Sequence, residues 1–264
     1  MQVQTVNGPN GPVGFTARGG GPALVLLAGL GATAAIWGEL PAILARRFRV
    51  VAVDNRGVGA SRSGEPFTIG RAVEDVEAVL DALSIGNAAL LGASMGGTLA
   101  LAAAARLGGR VTAVVAASCA AHLSVHGRRS LERLRTLLEH LPPRAFGAAL
   151  MGMAFAPPFT ERHPGFVDEA ARLYGLAPED VPGTRAQLEH LLEGWDLRPE
   201  LAGAGARCLF LAGRRDPVVA LEDTLAAAAA VPDAETLVLE DAAHSVLAEG
   251  GEAVLERVVR FLSP

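Results

Sequence analysis

Apolar-rich runs recur along the chain at residues 23–28, 48–53, 88–91, 111–117 and 208–212, broken only by Arg49 and Thr112. They lack the alternation of a strand with one wet face, so they predict strands buried on both sides of a sheet. Residues 235–239 add another strand, and 3–6 and 13–17 alternate around Asn7-Gly8-Pro9-Asn10-Gly11-Pro12, the pattern of a hairpin. The segments between change period. Over 71–83, Val73, Val76, Val79/Leu80 and Leu83 form one stripe, with Glu74, Asp75, Glu77 and Asp81 opposite, which predicts an amphipathic helix. Helical patterns also cover 33–46 with a break at Pro41, the small-residue run 98–105, then 221–230 and 252–262.

Strands that alternate with helices predict an α/β fold: a mostly parallel sheet with helices on both faces. Between 122 and 201 the pattern differs. No strand-like run appears there, and helical patterns at 128–140, 143–153, 166–174 and 184–193 are set apart by Pro142, Pro157, Pro158, Pro164, Pro178 and Pro182. This predicts an inserted helical cap at 121–202 within a core of 1–120 and 203–264. No internal repeat is present.

Composition narrows the function classes. A chain of 264 residues, half of them hydrophobic, suits one α/β domain with an insertion. A net charge of −5 with no basic block argues against a nucleic-acid partner. All 23 basic residues are arginine. The absence of lysine excludes a lysine Schiff base, lysine-anchored pyridoxal chemistry and a P-loop lysine. Residues 1–14 lack a charged-then-apolar leader, and no apolar run, including the alanine-rich 225–231, is long enough to span a membrane. The expectation is a cytoplasmic monomer or homodimer with no membrane partner. Cys119 and Cys208, in or at the end of predicted strands, are expected to be buried free thiols. Metal-ligand spacing is missing; Glu189-His190 has no second histidine or cysteine one helical turn away.

The chemistry gathers at Gly92-Ala93-Ser94-Met95-Gly96. An apolar strand leads in and a small-residue helix leads out, so Ser94 stands at the apex of a sharp strand-to-helix turn. Side chains at Gly92 and Gly96 would collide where the two arms converge. A hydroxyl is left clear of the sheet beside a helix N-terminus whose N–H groups point outward. A serine is a poor nucleophile at neutral pH and needs a base, itself oriented by a third group. In open α/β sheets such groups collect at the carboxyl ends of strands. Asp216 follows the 209–212 strand and His244 follows 237–239. The other histidines, His122, His126, His140, His163 and His190, follow no core strand. Asp216 before Pro217 also suits a helix cap, and Asp241 reads as a turn residue.

This elbow, with Ser94, Asp216 and His244 in that order, resembles the α/β-hydrolase family. The resemblance implies a Ser-His-Asp triad, and it places oxyanion donors at the backbone N–H groups of Met95 and Leu30. The chain departs from the family at Ala28-Gly29, where many relatives carry His-Gly, so any support a histidine gives that loop is absent. Some relatives carry the acid one strand earlier, but no carboxylate follows Ser118-Cys119. Leu30-Gly31 with Trp37, and Trp195-Asp196-Leu197-Arg198 at the return to the core, are most similar to the enol-lactonase and small-esterase branch. That branch implies a serine hydrolase of small or medium carboxylic esters or lactones, with an apolar acyl substrate and no cofactor.

Other readings start from the same residues. C–C bond hydrolysis, acyl transfer, cofactor-free perhydrolysis and a non-catalytic hydrolase-like binding protein would use the same fold. Gly29-Leu30-Gly31-Ala32-Thr33-Ala34, with Asp54 after the next strand, fits a dinucleotide fingerprint, but that reading leaves Ser94, Asp216 and His244 without a role. In the hydrolase reading Asp54 and Arg56 are structural. Trp37, Met151 and Phe155 can line an acyl pocket or pack the cap onto the core. Arg128, Arg129, Arg133 and Arg135 form a basic face that is solvated or receives a substrate carboxylate.

Overall fold

The computed structural model describes residues 2–62 and 66–263. Its eight strands are β1 (Gln4–Gly8), β2 (Gly11–Arg18), β3 (Ala23–Leu27), β4 (Arg49–Val53), β5 (Ala88–Ala93), β6 (Val111–Ala117), β7 (Arg207–Gly213) and β8 (Glu235–Leu239). They form one sheet in the order β1-β2-β4-β3-β5-β6-β7-β8. The hairpin and the β2–β4 pair are antiparallel; every pair from β4 to β8 is parallel. Leu24–Leu27, Leu90, Leu91 and Val114–Ala116 are excluded from solvent, as unbroken apolar runs require when helices cover both faces.

The helices of the first half are α1 (Leu40–Leu44), α2 (Ile69–Ala82) and α3 (Met95–Leu107). The helix expected over 33–46 is instead a 3₁₀ turn, Ala34–Trp37, followed by the short α1. Gly38, at φ 51°, separates the two by leaving helical backbone altogether. α2 starts two residues before the predicted position because the Thr68 hydroxyl caps it, accepting from the Arg71 N–H.

Between β6 and β7 lie α4 (Val125–His140), α5 (Pro143–Ala154), α6 (Pro157–Arg162), α7 (Phe166–Tyr174), α8 (Val181–Glu193) and α9 (Arg198–Leu201). No ladder strand interrupts them among the described residues. Pro157, Pro158 and Pro182, expected between helices, instead open them, and Pro143 opens α5 as expected; all fall in first turns, where a missing N–H has no intrahelical partner to lose. At the base of this segment the two chain crossings are joined. The Leu197 N–H donates to the Ala121 carbonyl at 2.7 Å and the Leu123 N–H to the Trp195 carbonyl at 3.0 Å. The chain closes with α10 (Leu221–Ala229), α11 (Val246–Glu249) and α12 (Gly251–Leu262).

Both cysteines are buried and unpaired. Burial pushes both thiols up, Cys208 to about 12, so neither is a thiolate at neutral pH. Among the described residues no helix is long and apolar enough to cross a membrane.

Candidate active site

Ser94 joins β5 to α3 with φ 55° and ψ −125°, a backbone conformation that a non-glycine residue rarely adopts. The neighbours hold it there. A Cβ at Gly92 would lie 2.1 Å from the Gly96 carbonyl oxygen, and one at Gly96 would lie 2.0 Å from that of Leu27. The Ser94 N–H donates to the Ala117 carbonyl at 2.8 Å, which ties the elbow to the end of β6. Strain at Ser94 therefore persists because β3, β6 and the start of α3 over-determine it.

Asp216 and His244 approach from beyond the ends of β7 and β8, with β6 between them and the elbow strand. His244 Nδ1 lies 2.8 Å from Asp216 Oδ2, and the Asp216 side chain is only 2% exposed. The other carboxylate oxygen accepts from the Val218 and Val219 N–H groups at 2.8 and 3.0 Å. That orients the acid, although the following helix, α10, starts only at Leu221. Burial works against a charged His244 imidazole. The charge and hydrogen bond of Asp216, with a lesser pull from Glu249, outweigh it, so the pKa ends above the ordinary 6.5.

Ser94 and His244 border one cavity of about 640 Å³. The Ser94 hydroxyl has no hydrogen-bond partner among the described residues. The turn at 29–31 lies against it, since a Cβ on Gly29 would stand 3.3 Å from Ser94 Cβ. The N–H groups of Leu30 and Met95 likewise donate to no other described group.

Trp37, Met151 and Phe155 all line this cavity, and all three also pack with the core or with a neighbouring apolar cluster. The two readings of these residues therefore coexist. Phe155 belongs to an aromatic group with Phe159 and Phe166, at ring separations of 5.5 and 5.3 Å. The arginine face of α4 does not reach the cavity. Arg128 donates to the Leu192 carbonyl and Arg133 to that of Pro217. Among the described residues the only carboxylates lining the cavity are Glu39 and Glu169; no arginine lines it, and Glu169 pairs with Arg172 outside it.

Glu249 went unnoticed in the sequence. Its two oxygens accept from the Ala243 and Ala156 N–H groups, both at 2.9 Å, so it fastens the loop before His244 to the start of α6. Burial raises its pKa against the pull of those backbone donors, and the nearby Asp216 charge adds to the rise. A lone glutamate five residues after a histidine carries no local signal of this kind.

The geometry at the end of β4 and in the 29–34 loop rules out the dinucleotide reading. Asp54 spends its oxygens on the Ala34 and Ala60 N–H groups at 2.7 and 3.0 Å, leaving no free acid at the end of β4. No α-helix opens at Gly31; only the four-residue 3₁₀ turn does. Arg56 forms a buried ion pair with Asp75, so Asp54 and Arg56 are structural through separate partners. Asp241 pairs at the surface with Arg215. Among the described residues no group of three or more histidine, cysteine or acidic side chains is placed to hold a metal.

A mostly parallel sheet with a strained serine elbow, whose serine borders the same cavity as an aspartate-bound histidine, has the make-up of a hydrolase-type site. A profile of the alpha/beta hydrolase fold matches residues 22–251, and the chain belongs to that family. It is 32% identical over 206 residues to 3-oxoadipate enol-lactonase 2 of Acinetobacter baylyi, covering 76% of this chain and 74% of that one. The crystal structure of an enol-lactonase from Burkholderia xenovorans superposes with a TM-score of 0.86 at 26% identity, covering 99% of this chain and all of the other. A hydrolase from Pseudomonas aeruginosa gives 0.85 at 28% identity, over 100% and 99% of the two chains.

Proposed function

We propose that the protein is a serine hydrolase that cleaves a small or medium, uncharged carboxylic ester or lactone through an acyl-enzyme. Ser94 Oγ attacks the acyl carbon. His244 takes the serine proton and delivers it to the leaving alcohol, while Asp216 holds the imidazole and steadies its positive charge. The Leu30 and Met95 N–H groups receive the oxyanion. Water, activated by the same histidine, then releases the acid. The observation that carries this reading is the cavity that the elbow serine and the Asp216-bound histidine both line.

The lining supports the choice of an apolar acyl group. Leu134, Leu150, Met151, Phe155 and Leu173 from α4, α5, α7 and the α5–α6 junction close over Ser94, which is the basis for assigning residues 121–202 as a cap. A substrate carboxylate would meet Glu39 and the Arg172-paired Glu169, and no arginine lines the cavity to receive it, which disfavours it. A 3-oxoadipate enol-lactone, which carries a carboxylate, is accordingly a poorer fit than a neutral lactone of similar size.

A panel of p-nitrophenyl esters of graded acyl length, run beside p-nitrophenyl hemisuccinate and neutral lactones, tests the reading. We expect neutral esters of medium chain to be cleaved with the highest kcat/KM. Ser94→Ala should lower turnover by about four to six powers of ten. Wild-type rates in that variant would end the assignment.

A further inference from the structure

The loop after β3 is a β-turn, with the Ala32 N–H donating to the Gly29 carbonyl at 3.2 Å and Gly31 at φ 65°. Positive φ at the third position and none at Leu30 make it a type II turn. Types I and II differ by a flip of the central peptide, here the one between Leu30 and Gly31. Glycine at the third position accepts both forms, so the local sequence does not select the peptide's orientation.

Two side chains from the β6–β7 segment select it. The Tyr174 hydroxyl, at the end of α7, donates to the Leu30 carbonyl at 3.1 Å. Gln187, in α8, accepts from the Gly31 N–H at 2.8 Å through Oε1. That carbonyl and that N–H are the two polar ends of a single peptide plane. Gln187 is fully buried, and its Nε2 donates to the Arg56 carbonyl at 2.8 Å, so its amide cannot reverse without breaking both bonds. A Cβ at Gly31 would sit 2.5 Å from the Tyr174 hydroxyl, so the fit depends on this orientation.

We propose that Tyr174 and Gln187 are positioning residues for the oxyanion hole: they lock the Leu30–Gly31 peptide from both ends and so anchor Leu30 on its carbonyl side, fixing the turn whose preceding peptide, Gly29–Leu30, carries the donor N–H. This rests on the reading of Leu30 as an oxyanion donor. It supplies what the loop lacks at position 28, where alanine stands. Burial also pushes the Tyr174 phenol well above its ordinary pKa, so the hydroxyl remains a donor at any working pH. Because both jaws belong to the β6–β7 segment and the peptide to the core, seating that segment and organising the hole become one event.

The test measures kcat, KM, affinity for a boronic acid and inhibition by the carboxylate product in Tyr174→Phe, Gln187→Met and the double variant. The boronic acid forms a tetrahedral adduct: Ser94 Oγ bonds to boron, the serine proton passes to His244, and a boronate oxygen occupies the hole. Each single variant should lose about tenfold to a hundredfold in kcat, short of the full loss of a donor, with KM within about twofold. Boronic acid affinity should fall in step while product inhibition stays unchanged. The double variant should fall barely below the worse single one, because either loss frees the same peptide. Unchanged boronic acid affinity, or losses that multiply independently, would overturn the proposal. If Gln187→Met does not fold, Tyr174→Phe, which keeps its ring packed, decides it through the kcat and boronic acid readings. Ser94→Ala in the same assay separates the two readings. Full activity there sinks the hydrolase mechanism itself, whereas a dead Ser94→Ala beside unaffected boronic acid binding in the others sinks only the peptide lock.

Discussion

The elbow and the β6–β7 segment are held to the same cavity by different means. At the elbow, backbone meets backbone. Gly92 and Gly96 sit where any Cβ would fall within about 2.1 Å of a carbonyl oxygen, so sterics alone dictate the geometry. The helical segment meets the site through a few buried polar contacts. Gln187 reaches Gly31 and Arg56, Tyr174 reaches Leu30, Asp180 accepts from the Gly59 N–H at 2.9 Å, and Glu249 grips Ala156. The Gly57–Gly183 crossing is a close backbone approach of the elbow's kind, and the Ser245 N–H donates to the Ala154 carbonyl at 2.8 Å. The difference teaches that damage to the elbow should appear as lost stability, and damage to the contacts of the segment as lost chemistry in a folded protein.

Gly96→Ala breaks the comparison most severely. Its Cβ has no space to enter, and overpacking against main chain should cost more than about 3 kcal/mol, read as a large drop in denaturation midpoint or a failure to fold. A stable Gly96→Ala would show that the elbow is not sterically fixed.

Asp216→Asn should act in the opposite way, leaving stability close to wild type and lowering kcat by about 10⁴ through loss of the correct imidazole tautomer and charge. The pH profile sharpens this. His244 has a raised pKa, so kcat/KM should rise with pH along a limb whose midpoint lies above 6.5. The stability that the Asp216–His244 pair contributes runs the other way: it is fully present below the unfolded histidine value and is lost as pH rises through the folded one. The enzyme is thus most active where this pair stabilises it least. In Asp216→Asn the midpoint of the residual rate should move down; an unmoved midpoint would remove Asp216 as the cause.

Glu249→Gln is the gentlest change. A carboxylate satisfies both the Ala243 and Ala156 N–H groups, whereas an amide can accept from only one and turns a donor toward the other. We expect a loss of about 1–3 kcal/mol in stability and a severalfold fall in kcat, with the histidine loop showing faster amide hydrogen exchange. An unchanged kcat would mean that the tie from the helical segment to the His244 loop serves folding alone.

Much of this was legible in the chain. The buried strands follow from apolar-rich runs, and the elbow follows from Gly92-x-Ser94-x-Gly96 between a strand and a helix, because steric demands act over a few residues and leave a local trace. Asp216 and His244 were legible because each follows a core strand. The 33–46 helix was misjudged because Gly38 takes a conformation that sequence period does not report.

Local chemistry along the chain determined the sheet, the elbow and where the acid and base stand relative to their strands. The tertiary structure alone decided which side chains hold those groups in place. Gln187 is 156 residues from Gly31, Tyr174 is 144 from Leu30 and Glu249 is 93 from Ala156. A buried amide, phenol or carboxylate becomes specific only when folding brings an unpaired backbone N–H or carbonyl to it, and no spacing along the chain encodes that meeting.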